Sequence, residues 1–112
     1  MKTRHVTLSP RATLSLRLFA GLIEEGRLNK GWTRDELAER VGVSVVTMRQ
    51  VAKSSPKVAI GTYFEAAALV GVSLFTDDSD TLRREHANQL ERLTLLPKRA
   101  SRQQDKPIDD DF

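Results

Sequence analysis

The chain has no cysteine, so neither disulfides nor thiolate metal sites are available and packing alone must hold the fold. Aromatic residues are only 5% of it, which leaves Leu, Val and Ala to build the core, as in small helical bundles. Apolar runs are short. None approaches the roughly 20 residues that cross a bilayer, and the N-terminus lacks the apolar core of a secretory signal, so a cytoplasmic protein is expected. A Gly-rich phosphate loop, a nucleophile elbow and a plausible acid and base pair are missing as well, so an enzyme is not expected, nor any cofactor. The two histidines, His5 and His86, stand far apart, without clustered acids at ligand spacing, and no metal site is expected. A length of 112 residues bounds the chain at one modest core with tails.

Charge is present, and unevenly. Residues 1–60 hold eleven Lys or Arg against five acids, and residues 61–112 hold seven against ten. A basic surface in one half is what phosphate binding requires. Residues 1–8 read as a flexible basic arm, in which Lys2, Arg4 and His5 either follow a nucleic-acid groove or form a plain unstructured start. Ser9 and Pro10 open a first helix that runs to about Lys30 and stops at Gly31. Its inward stripe is expected to be Leu14, Leu18, Phe19, Leu22 and Ile23, with Glu24 and Arg27 outside. Ser54, Ser55 and Pro56 break the chain before a fourth helix from Ile60 to Val70, stopped by Gly71. A fifth helix, capped by Ser79, is expected to end near Leu96, before Pro97, and to carry Leu82, Leu90, Leu93 and Leu96 as an apolar stripe. Residues 97–112 are polar and aperiodic, as in disordered tails.

The most informative stretch is TRDELAERVGVSVVTMRQVAK, residues 33–53. Thr33 and Glu36 form a capping box that starts a helix. Leu37, Ala38 and Val41 face inward, Gly42 ends the helix in a left-handed conformation and Val43 plugs the corner. Ser44 caps the next helix, where Met48 and Val51 repeat the apolar spacing and Val45, Val46, Arg49, Gln50 and Lys53 are left outside. This is a helix-turn-helix pattern, in which the second helix enters the DNA major groove and the first braces it. Arg49 and Gln50 suit base readout, since Arg pairs with guanine and Gln with adenine, while Val45 or Val46 can touch a thymine methyl. Ser44, Thr47 and Lys53 suit phosphate. Trp32, just before the cap, is expected to staple the helix entry by packing.

With these residues in place, the chain resembles the Xre/Cro-type helix-turn-helix regulators over most of residues 11–75, through GWTRDELAERVGVS. SSPKVAIGTYFEAAALVGV narrows the resemblance to HipB-type antitoxins of HipA-kinase toxin-antitoxin operons, and the ending DKPIDDDF is similar to acidic, aromatic-ended tails in that group. The resemblance implies an all-α, five-helix, lambda-repressor-like domain over residues 9–96 with a flexible tail. It implies a homodimer that binds an inverted-repeat operator, represses its own operon as a DNA-binding transcription regulator, and acts as antitoxin to a kinase-fold toxin encoded beside it. The protein would then be associated with the nucleoid when bound to its operator. Three positions depart from the family's pattern. Arg34 stands where Gln is common, and is expected to reach a phosphate. Ala52 removes an acid from a buried ion pair, and Ser54 replaces a glycine, which makes a different exit from the third helix the expectation.

Two further readings stay open: a protein-interaction module on the same fold, or a stand-alone, phage-type repressor without a toxin. Pairing of copies is expected around Phe64, Leu69, Leu90 and Leu93. Ile108, Asp109, Asp110, Asp111 and Phe112 are the candidates for partner binding by the tail.

Overall fold

A computed structural model describes residues 7–98, which are all-α: five helices and no strand. In chain order these are α1 (Pro10–Lys30), α2 (Arg34–Val41), α3 (Val45–Ala52), α4 (Ile60–Leu69) and α5 (Ser79–Leu95). The basic arm, with Lys2, Arg4 and His5, and the tail candidates Ile108 to Phe112 lie outside the described residues. The chain divides into two compact units, Met1–Phe75 with α1 to α4 and Thr76–Phe112 with α5. The expected domain of residues 9–96 spans parts of both.

Local hydrogen bonds explain where the helices begin. Ser9 accepts from Ala12 N–H at 3.1 Å, with Pro10 in the first helical position. Thr33 and Glu36 complete their box at 3.0 and 2.7 Å, and Ser44 accepts from Thr47 N–H at 3.0 Å. At α5 the cap is Asp78 rather than the expected Ser79. Its carboxylate accepts from the backbone N–H of Thr81 at 3.1 Å and from the Thr81 hydroxyl at 2.6 Å. These bonds hold the Asp78 carboxyl below its ordinary value, and a charged cap suits the positive end of a helix better than a hydroxyl does.

The helices of the first unit all stop in the same way. The residue after the last turn takes a left-handed or turn conformation, and the next N–H bonds back five residues, as in a Schellman ending. Trp32 N–H reaches Arg27 O at 3.1 Å, Val43 reaches Ala38 at 3.0 Å, Ser55 reaches Gln50 at 2.9 Å and Val72 reaches Ala67 at 2.8 Å. Gly31, Gly42 and Gly71 supply the positive φ at three of these ends. At the fourth, Ser54 itself stands at φ 63°. The expectation of a different exit from the third helix is therefore corrected. Serine follows the glycine path, because the two backbone bonds of the ending and the carbonyl of Ser55, which accepts from Tyr63 Oη at 2.7 Å, hold it there.

The core of the first unit is Ala20, Ile23, Leu37, Ala38, Met48, Val51, Tyr63, Ala66, Ala67 and Val70. α2 packs on α3 and α4, and α1 packs on both of these as well. Ala38 is fully buried, as the close crossing of α2 and α3 needs. Phe19 lies edge-on to Phe64 at 6.1 Å between centroids. α1 departs from its expected orientation. Leu14 and Leu18 are each 66% exposed and Leu22 is exposed too, whereas Ala20, Ile23 and Arg27 are buried with Leu16 and Phe19 packed beside them. α1 is apolar on two sides, and only one of them meets α3 and α4. On α4 the buried face is Tyr63, Ala66 and Ala67, which leaves Ile60, Phe64 and Ala68 exposed.

Candidate nucleic-acid interface

α3 follows α2 through the turn at Gly42, and the two inward side chains Met48 and Val51 fix its rotation against the core. Given that rotation, Val46, Arg49, Gln50 and Lys53 are exposed. Val45 is not among them. It is half-buried and packs against the core, a correction that follows from spacing, because Val45 sits one turn before Met48 on the same face. The exposed set is a compact row of two cations, one amide and one aliphatic side chain on a rigid helix.

The remaining expected residues lie outside this row. Ser44 accepts the Thr47 N–H and its hydroxyl donates to Thr47 Oγ1 at 3.1 Å, so both hydroxyls are engaged in starting α3. Thr47 is half-buried and Ser44 exposed. Arg34, at the start of α2, leans back toward α1 and lies 3.5 Å from Glu24 Oε2. The structure thus brings Val46, Arg49, Gln50 and Lys53 together on one face and sets Arg34 and Ser44 at the two helix starts.

An acid on α1 faces two arginines near Ala52. Glu24 takes both ends of the Arg27 fork, through Nε at 3.3 Å and through Nη2, and also faces Arg34. Arg27 was expected outside, yet it is buried. Its Nη1 donates to the carbonyl of Trp32 at 2.6 Å, which anchors the junction between α1 and α2. A buried guanidinium needs a carboxylate and a carbonyl in this way. The hydrogen bond from Arg27, then the charges of Arg27 and Arg34, hold the Glu24 carboxyl below its ordinary value despite partial burial. Ala20, Ile23, Leu37, Met48, Val51 and Ala52 wall this cluster, so α1, α2 and α3 are tied at one place.

Trp32 packs against the core as expected, with Arg40 stacked over its ring at 4.1 Å and Lys30 at 5.7 Å. The Glu24 to Arg27 spacing of three was visible in the sequence, but their burial was not. Arg40 gave no sequence signal. Among the described residues no helix is long and apolar enough to cross a membrane, and no three His, Asp or Glu side chains gather as a metal group would require. Comparison with family models, with curated proteins and with solved structures gives no match for this chain.

Proposed function

We propose that this protein is a sequence-specific, DNA-binding transcriptional repressor in which α2, α3 and the turn between them act as a helix-turn-helix. The observation that carries the reading is the rotation of α3. Met48 and Val51 lock one side into the core while Val46, Arg49, Gln50 and Lys53 project together from the other. Such a row matches what a major groove presents: Arg for the two acceptors of guanine, Gln for the donor and acceptor of adenine, Val for a thymine methyl and Lys for phosphate. Glu24 and Arg27 support it from behind by holding α1 to the start of α2, and the reading takes Arg34, 3.5 Å from Glu24, as a further phosphate contact.

One recognition helix reads only a few base pairs, so the reading includes a homodimer on an inverted repeat with half-sites about 34 Å apart. The resemblance adds an antitoxin role beside a HipA-like kinase toxin, with residues 105–112 contributing to toxin binding. The test begins with a gel shift on the DNA upstream of the gene. Arg49→Ala is expected to cost about 1–3 kcal/mol and to relax discrimination at one position per half-site. An unchanged affinity in this variant removes α3 from the role and favours a protein-interaction module instead. Co-purification with the product of the adjacent gene tests the toxin separately, and loss of that binding on deleting residues 105–112 tests the tail.

A further inference from the structure

α1 turns only one of its apolar sides to the core. Ala20, Ile23 and Arg27 are buried and Gly26 lies tight against Val70, so the rotation of the helix is fixed by what it packs on. On the opposite side Leu14, Leu18 and Leu22 form a row at steps of four residues, and all three are exposed. Residues seven apart on a helix point within about 20° of one another, so Arg11 and Glu25 continue the face of Leu18, one before it and one after it. Both are exposed, and among the described residues neither has an ion-pair partner. The face is a short leucine ridge closed by a cation at its N-terminal end and by an acid at its C-terminal end, with Leu18 midway.

We infer that this face of α1 pairs with the same face of a second copy, antiparallel, about a two-fold axis at Leu18. Reversing the ridge carries each of its ends onto the other, which is what a self-complementary contact requires. Leu18 then meets Leu18, Leu14 meets Leu22 of the other copy, and Arg11 meets Glu25 of the other copy, twice by symmetry. A parallel pair would set Arg11 beside Arg11 and Glu25 beside Glu25. Only the antiparallel arrangement has opposite charges at both ends, so the charges select both the occupant and its direction, whereas the leucines by themselves would accept any apolar helix. Arg11 to Glu25 is a step of fourteen residues, about 21 Å of helix. A contact of one such stretch per copy falls at the small end of protein interfaces, below about 1,200 Å², and exchange between monomer and dimer is expected of it.

This pairing deepens the homodimer of the DNA reading without depending on DNA binding, and the experiment separates the two. Sedimentation equilibrium on the full chain across the micromolar range, at low salt, is expected to show monomer and dimer in exchange. Leu18→Glu sets two carboxylates together at the centre and is expected to leave only monomer over that range. Arg11→Glu and Glu25→Arg each place like charges in both end pairs and are expected to weaken association about tenfold. An equimolar mixture of these two variants has complementary ends only in the heterodimer, so mixing is expected to restore association to the wild-type level. The double variant carrying both reversals is expected to associate as the wild type does. All three positions are exposed, and circular dichroism checks that the helices are retained; should Leu18→Glu lose them, the two charge reversals decide. A wild-type monomer throughout the range overturns the pairing. So does a folded Leu18→Glu variant that still dimerises, which would move the contact to the surface expected from the sequence around Phe64, Leu69, Leu90 and Leu93. Charge reversals without effect overturn the antiparallel direction, and weakening without recovery in the mixture overturns the meeting of Arg11 with Glu25. In each case the Arg49 gel shift still decides the DNA reading by itself.

Discussion

Ser54 carries a backbone conformation that the chain elsewhere gives to glycine at the ends of α1, α2 and α4. An L-residue there costs about 1–2 kcal/mol, from which glycine's own entropy loss of about 0.5–1 kcal/mol must be subtracted. Ser54→Gly is therefore expected to stabilise the protein by about 0.5–1 kcal/mol, read as a shift in urea midpoint with unchanged slope. The apolar plug that the other three endings place next, as Trp32, Val43 and Val72, is here Ser55, and Tyr63 takes over by donating to its carbonyl. Burial holds the Tyr63 phenol above its ordinary value, which keeps it a donor. Glu24 makes a second test possible. Its folded carboxyl titrates below the ordinary 4.5, so between the two values the unfolded chain binds more protons and stability rises with pH. The contribution is fully present above about 4.5 and is lost as pH falls through the lowered value. Glu24→Gln is expected to flatten the stability profile as pH falls below about 4.5, measured by urea unfolding; an unchanged slope would show that the Arg27 fork does not hold the charge.

At the scale of elements, α1 and the end of α4 approach each other where Gly26 meets Val70. A methyl group on Gly26 would lie 2.7 Å from both Val70 Cγ2 and the Val70 carbonyl oxygen. The carbonyl belongs to the backbone and cannot swing away. Gly26→Ala is expected to destabilise by about 1–3 kcal/mol through overpacking, although alanine favours a helix by about 1 kcal/mol. Gly21 is the control on the same helix: a methyl there meets nothing within 4 Å, so Gly21→Ala is expected to stabilise by up to about 1 kcal/mol. If both variants behave alike in thermal unfolding, the close approach is absent. The same helix shows why its orientation was illegible from spacing. Leu14, Leu18 and Leu22 form one apolar row, and Leu16, Phe19, Ala20 and Ile23 form another. Which row is core depends on α3 and α4, and the second faces them because Gly26 and Ala20 permit the approach that leucine would block.

For the whole molecule, charge follows the division into units: residues 1–75 hold eleven cations against six acids, and residues 76–112 hold seven against nine. A DNA surface on the first unit would release counterions on binding. If Lys53 meets a phosphate in each of two copies, Lys53→Ala is expected to reduce the slope of log affinity against log salt by about 2 and to weaken all sequences alike. A slope unchanged within error would move Lys53 off the phosphate path.

The sequence by itself determined five helices, nearly all their ends, and the row of Arg49, Gln50 and Lys53 outside α3. Caps and stops are made by residues within five positions of one another, as at Thr33 with Glu36 or Gly42 with Ala38, so chain order alone contains them. Only the tertiary structure decided that Arg27 is buried on Glu24 and the Trp32 carbonyl, and that the leucine row of α1 lies outside. Burial is conferred by neighbours distant in sequence, and a side chain compatible with two faces takes the one where packing is available.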